Sequence, residues 1–447
     1  MPAHRVSSQL IALLVVAIQT GCQELLMPTP VVYEDVRFSP CSGVPEALRS
    51  TSIRVFYATT RTPAGDPGDR GYKNKVGDQI RVGEAIVALG PRGLTWDELS
   101  EASVTSKRAR DITVKLKRAF EFGALADGRK PPEAGAARPL NSSEQAFVDG
   151  INDAMRRSRI RKIFVYVHGA KVDFEHACMI SAELYHFLGR AGAAVGFAWP
   201  TGQTLLSYGS DIKRGREAGD DFARVLDLLS RTEAEQIDLI SYSAGALVLA
   251  GGLVTLREAH ADLDDAALAA RFRITDVVFA AADISMRRFA TDLLPRMYDL
   301  PRRIQVTISD KDSVLSLAQI MHGSSRLGRP NLKELDEAAF MDLRQRDKLV
   351  VIDTNFAEEA RGLKIPGHGY WFRNPWAATD TLISLRFDAT PEERGLLRRG
   401  TDHPLAWYFP PDYTLRVTTS LLAGMGLPPD ASVEQVEQWL RENGRLN

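Results

Sequence analysis

Gln236-Ile237-Asp238-Leu239-Ile240-Ser241-Tyr242-Ser243-Ala244-Gly245-Ala246-Leu247-Val248-Leu249-Ala250-Gly251-Gly252 runs from a short apolar strand, past small residues around one serine, into an Ala/Leu/Val-rich helix. This is the layout of a nucleophile elbow, a strained strand-to-helix turn that lifts a serine hydroxyl out of a sheet. The neighbours two places away must be small so that the helix can pack close, and Ser241 and Gly245 fill those places. The pattern is S-x-S-x-G, with Ser241 where a first glycine is usual. The turn would expose Ser243 Oγ and set the Ala244 N–H at a helix N-terminus, where it can stabilise an oxyanion. The competing reading is a buried turn whose serine only caps the helix.

Working outward, apolar runs alternate with amphipathic ones. Strands are predicted at Lys162–Val167, Ala193–Trp199, Ile274–Ala281, Ile304–Ile308 and Leu349–Asp353, with helices near Phe174–Arg190, Ile212–Ser230 and Trp376–Leu385. Such alternation implies an α/β fold with a mostly parallel, doubly wound sheet covered by helices on both faces. Ahead of it, Ile53–Arg61, Glu84–Leu89 and Asp111–Phe122 read as β-rich, and Ser142-Ser143-Glu144-Gln145 caps a helix reaching about Arg157. The expected organisation is a tether at 23–50, a hydrolase-type domain at 51–385 with an insert near 91–150, and a C-terminal helical appendage at 386–447.

A serine of this kind needs a histidine to take its proton and an acid to hold that histidine, each on a loop after a strand's carboxyl end. Chain order Ser, acid, His is met by the loop Ser309-Asp310-Lys311-Asp312 and by Gly367-His368-Gly369-Tyr370. Asp312 is the first choice of acid, with Asp310 and then Asp283 as alternatives; each could instead cap the next helix. The second oxyanion donor is expected from the Ala170 N–H in His168-Gly169-Ala170-Lys171, with His168 a structural histidine. Trp199, beside the mouth, and Tyr242 are candidates to line the substrate pocket, a buried core position being the other reading for Trp199.

Bulk properties narrow the function. With 44% hydrophobic and 25% charged residues, the 447-residue chain can build one large core. Lys+Arg 56 against Asp+Glu 57 leaves a net charge of -1, which argues against a general nucleic-acid binder. No His/Cys/Asp/Glu cluster has metal-ligand spacing and no glycine-rich loop matches a phosphate or dinucleotide signature, so neither metal nor cofactor is implied. At the N-terminus, His4 and Arg5, the apolar run Leu10–Ile18 and Gln19-Thr20-Gly21-Cys22 form a signal-peptide layout. It resembles the lipobox of bacterial lipoproteins. That resemblance implies lipidation of Cys22, a lipid anchor in the cell envelope and, from Gln23, sorting to the outer membrane. Cys41 and Cys178 remain; Cys178 fits an apolar helical pattern, and packing is favoured over a disulfide.

One family is similar to this chain over roughly 50–385. The resemblance rests on an ordered set: Val55-Phe56-Tyr57-Ala58-Thr59-Thr60-Arg61, His168-Gly169, Phe197-Ala198-Trp199-Pro200, the elbow, Asp312 with His322-Gly323 and Arg326-Leu327-Gly328, and Gly367-His368-Gly369-Tyr370. It is the bacterial α/β-hydrolase group of unknown function, whose usual His-Ser-Met-Gly reads here Tyr242-Ser243-Ala244-Gly245. The resemblance implies a triad of Ser243, Asp312 and His368 and leaves the substrate open. The expected activity is a carboxylesterase or lipase-like serine hydrolase acting on small-molecule esters or lipids. The alternatives are an amide or peptide hydrolase with the same triad, and a non-catalytic envelope protein that keeps the fold to bind a partner.

Overall fold

The computed structural model describes residues 24–126, 138–202, 204, 207–355, 367–400 and 406–446. Cys22 and the expected signal peptide lie outside the described residues. Among the described residues, eleven strands form one sheet: β1 Ser52–Ala64, β2 Gly71–Leu89, β3 Val114–Ala124, β4 Lys162–Val167, β5 Ala193–Ala198, β6 Gln236–Tyr242, β7 Ile274–Ala280, β8 Arg303–Ile308, β9 Leu349–Asp353, β10 Leu397–Arg398 and β11 Ala406–Tyr408. Their order is β10-β11-β9-β8-β7-β6-β4-β5-β1-β2-β3. Across the sheet from β1 to β11 neighbouring strands run parallel, and among the described strands the antiparallel pairs β1–β2, β2–β3 and β10–β11 lie at the two flanks. The loops after β4, β6, β7, β8 and β9 therefore share one carboxyl edge, where ligands of open α/β sheets collect.

Burial on both faces explains why the central strands are mostly apolar, β4 and β5 almost wholly so. In β4, Phe164 and Tyr166 join the core under helices Phe174–Phe187 and Pro375–Phe387. Ile163, Val165 and Val167 face the second core, shared with helices Ser142–Ser158, Tyr208–Leu229 and Gly245–Ala259. Cys41 and Cys178 are both buried and free, so the thiols pack as small apolar groups.

Three expected segment boundaries are corrected. The stretch 24–50 is not a free tether: Leu26, Met27, Val31, Val32, Tyr33 and Phe38 are buried in the first core, and the Tyr33 hydroxyl donates to the Phe187 carbonyl at 2.5 Å. Val31, Val32, Tyr33 and Phe38 sit in short 3-10 turns, which have neither a helix nor a strand period. The region 91–150 is not a separate insert, because β3 pairs with β2 and Phe147 of helix Ser142–Ser158 packs edge-on against Phe56 at 6.0 Å. Nor is 386–447 only a helical appendage. β11 extends the sheet beside β9, and helices Tyr413–Gly424 and Val433–Glu442 bury Val417, Leu421, Val436 and Leu440 in the first core.

The N-terminal segment carries a pH signature. Fully buried Glu183 accepts the Met27 N–H at 2.8 Å, and burial raises its carboxyl from 4.5 to about 8, with the charge of Glu24 adding to the shift. A raised acid means the unfolded chain releases its proton first. Its contribution to stability is therefore complete below pH 4.5 and declines as pH rises through about 8. Glu183→Gln keeps the acceptor for Met27. In thermal melts it is expected to flatten the decline across that window; parallel wild-type and variant curves would contradict the assignment.

Candidate active site

The elbow is as strained as its sequence implies. Ser243 has φ +53°, in the left-handed region that costs a non-glycine residue on the order of 1 kcal/mol. Neighbouring backbone holds it there: Ser243 N–H donates to the Ala280 carbonyl at 3.0 Å, and the Ser243 carbonyl accepts from Asp283 N–H at 3.1 Å. Small neighbours are obligatory. A Cβ on Gly245 would collide with the carbonyl oxygens of His168 and Val167, the latter at 2.6 Å. Ser241, fully buried, occupies the first small position.

His368 Nε2 lies 2.6 Å from Ser243 Oγ, and His368 Nδ1 lies 2.7 Å from Asp312 Oδ2. The histidine stands in a short 3-10 turn, Gly367–Gly369. Gly367 is required by its φ of +55°, and a Cβ there would press on Ser313 Oγ at 2.7 Å. Asp312 caps helix Ser313–His322, its Oδ1 accepting the Leu315 N–H at 2.9 Å. Cap and histidine partner are thus one residue using its two oxygens separately. Asp312 is fully buried and His368 keeps 12% of its side chain exposed, so the dyad is shielded while the imidazole borders solvent.

The alternative acids are elsewhere. Asp310 is exposed, and its Oδ2 accepts from Asn355 Nδ2 at 3.3 Å. Asp283 is buried against Arg326, whose Nε donates to its Oδ1 at 2.6 Å. This pair braces the loop that holds the Ser243 carbonyl, a role no spacing pattern announces.

Trp199 is corrected from pocket wall to buttress. It is fully buried, its Nε1–H donates to the His168 carbonyl at 2.7 Å, and its ring stacks on His168 at 5.5 Å. His168 is in turn buried between Gly169 and Arg61: its Nδ1 lies 2.7 Å from the Gly169 carbonyl and its Nε2 3.3 Å from Arg61 Nη2. A guanidinium only donates, so Nε2 is the acceptor and Nδ1 carries the proton. Burial, then the Arg61 charge, lowers this imidazole to about 3 and keeps it neutral. Arg61 itself is lowered to about 10 by burial and also donates to the Val172 carbonyl at 2.7 Å. This stack fixes the loop carrying Gly169 and Ala170. Ala170 is half-buried, and a Cβ on Gly169 would lie 2.9 Å from Ser243 Cβ. Tyr242, half-buried, sets its ring 5.1 Å from His368 and 5.7 Å from Trp371. Burial, then the Asp312 charge, raises its phenol, so it stays neutral. Arg61 stood in a quoted stretch of sequence, but its burial against the loop after β4 could not be read from order alone.

A cavity of about 760 Å³ lies beside β8 and β9, lined by Phe289, Ile308, Leu327, Leu335, Phe340 and Val351, and no triad residue lines it. Among the described residues, no cluster of three His, Cys, Asp or Glu side chains could hold a metal ion.

A serine, histidine and aspartate in hydrogen-bonded series on the carboxyl edge of a mostly parallel, helix-covered sheet define the α/β-hydrolase class. The chain belongs to the family described as alpha/beta hydrolase of unknown function (DUF900), which residues 143–385 match. Solved structures with a similar fold include an esterase of Pyrococcus furiosus at 13% identity, covering 51% of this chain and 83% of that one with a TM-score of 0.28. Another is a Xanthomonas campestris α/β serine hydrolase described as lacking a lid, at 14% identity, 60% and 90% coverage and a TM-score of 0.28. A third is Aspergillus fumigatus lipase B, at 13% identity, 67% and 70% coverage and a TM-score of 0.33. Likeness at this level carries no activity across to this chain. No curated protein matches the sequence.

Proposed function

We propose that the protein is a serine hydrolase that cleaves carboxylic esters through an acyl-enzyme on Ser243. The observation that carries this reading is the unbroken series Ser243 Oγ, His368, Asp312, with contacts of 2.6 Å and 2.7 Å, mounted on a strained elbow. His368 Nε2 takes the hydroxyl proton as Oγ attacks the ester carbonyl, while Asp312 holds Nδ1–H and stabilises the imidazolium. The carbonyl oxygen becomes an oxyanion facing the Ala244 and Ala170 N–H groups. Collapse breaks the bond to the alcohol oxygen, which leaves with the proton from His368. A water molecule then loses a proton to His368 and attacks the acyl carbon, and the bond to Ser243 Oγ breaks as His368 returns that proton to Oγ, releasing the acid.

Hydrolysis of short p-nitrophenyl esters by the purified protein tests this reading; a folded protein with no turnover above background would reject it. Amide turnover run beside it separates esterase from amidase. Gly169→Ala probes the oxyanion loop. The added methyl, 2.9 Å from Ser243 Cβ, is expected to push the loop away and lower kcat by about 10²-fold, the scale of one lost oxyanion donor. A change within about twofold would remove that loop from the mechanism.

On this reading the protein is held at the cell envelope by a lipid on Cys22, which the Leu10–Ile18 run and Gly21-Cys22 support. Mass spectrometry of the mature N-terminus tests this: a diacylglyceryl-modified Cys22 is expected, and an unmodified residue there would refute it.

A further inference from the structure

Two hydrogen bonds hold the His368 imidazole, one to Ser243 Oγ through Nε2 and one to Asp312 Oδ2 through Nδ1. Bonds at the two ring nitrogens lie near the ring plane, so they set the direction of the imidazole better than its roll about the line from Ser243 to Asp312. A third contact comes from outside the series. The ring centroid of Tyr242 lies 5.1 Å from that of His368, with the two planes 39° apart.

Tyr242 is held from every side. It ends β6 in register with Ala280 of β7, so its backbone belongs to the sheet. Trp371 backs its ring at 5.7 Å, and Tyr166 of β4 backs Trp371 at 6.4 Å. Trp371 and Tyr166 are themselves buried, at 1% and 0% exposure, which leaves the Tyr242 ring no room to withdraw from His368. A Cβ on Gly169 would stand 3.1 Å from Tyr242 Cδ1, so one edge of the ring lies against the loop after β4.

An aromatic face attracts a cation within about 6 Å of its centroid. His368 becomes a cation as it takes the Ser243 proton, so this attraction grows toward the transition state, which is the condition for speeding the chemical step. Burial and then the Asp312 charge keep the Tyr242 phenol neutral, and the ring therefore offers its face without a full charge.

We infer that Tyr242 is a positioning residue for the triad: its ring sets the roll of the His368 imidazole and stabilises the imidazolium formed when Ser243 is deprotonated. This rests on reading Ser243 as the nucleophile, and it gives Tyr242 a part in the reaction beyond lining a pocket. The charged groups acting on the stack are Asp312 on the loop after β8, Arg373 at the end of helix Tyr370–Arg373 and, toward Tyr166, Glu183 and Glu24. Lys171, on the loop after β4, faces Asp211.

The test leaves all of these in place. Phenylalanine and pentafluorophenylalanine at residue 242 have almost the same shape, but fluorine reverses the charge distribution of the ring face. With Tyr242→Phe as the reference, the fluorinated ring is expected to lower the ionisation midpoint of His368 by about half a pH unit or more. NMR titration of nitrogen-labelled histidine reads that midpoint, assigned by the signal that disappears in His368→Ala. The acid limb of kcat/KM on a short p-nitrophenyl ester should move to lower pH with it, and kcat should fall about 3- to 30-fold. A difluorinated ring should fall between the two. A tyrosine that only fills space predicts equal midpoints and equal kcat for rings of one shape, and that result, or a midpoint that does not follow the fluorine count, would overturn the inference. Because the titration needs no substrate, a shifted midpoint in a protein that hydrolyses no ester would retain the role of Tyr242 and reject the ester reading alone.

Discussion

Ser243→Ala is expected to abolish ester turnover, lowering kcat by about 10⁴-fold or more while leaving the fold intact. The hydroxyl is the group that forms the covalent bond, and its partner His368 Nε2 stands 2.6 Å away. Losing it spares the backbone bonds from Ser243 N–H to Ala280 and from Asp283 N–H to the Ser243 carbonyl. Alanine at φ +53° carries a strain similar to that of serine. Stability should therefore move by less than about 1 kcal/mol. Steady-state kinetics on a p-nitrophenyl ester, with a thermal melt of the same sample, reads both effects. Turnover within tenfold of wild type would mean that the attacking group is elsewhere.

Asp312→Asn separates two roles that one carboxylate performs. Asparagine keeps an oxygen for the Leu315 N–H, so the cap of helix Ser313–His322 survives. It also turns an amide toward His368 Nδ1, where the carboxylate now accepts at 2.7 Å. The imidazole is forced into the wrong tautomer and its cation loses its partner. A fall in kcat of about 10³- to 10⁴-fold at neutral pH is expected with little change in stability. Asp312→Ala should match that activity loss and cost about 1 kcal/mol more through the lost cap. If Asn and wild type turned over alike, Asp312 would be a cap and no more.

Much of this was legible before any coordinates, for a physical reason. A parallel strand buried on both faces is mostly apolar, which made β4 through β9 stand out, and the elbow leaves no space for a side chain at Gly245. Chain order then placed Asp312 and His368 on the proper edge. What stayed hidden lacks a period. Half of β2, from Gly71 to Gln79, has mostly exposed, polar side chains and reads as loop, yet it pairs with the end of β1. Strands β10 and β11, at 2 and 3 residues, are too short for any pattern. Helix Trp96–Val104 was missed, although the capping box Thr95-Trp96-Asp97-Glu98 marks its start. The prolines of 28–45 suggested a linker, while the burial of Tyr33 and Phe38 depends on partners more than 100 residues away, Phe187 and Phe387. Trp199 shows the same limit: its place after β5 was readable, but its stacking on His168 follows from the loop after β4. Among three nearby aspartates, only distance to His368 selects Asp312.

Everything proposed for the site depends on Ser243 being an activated nucleophile. Fluorophosphonate labelling of the purified protein, with the modified residue located by peptide mass spectrometry, tests this most directly. One label is expected, on Ser243, and it should be lost in His368→Ala. A folded protein that takes no label, or takes it on another serine, would contradict the assignment.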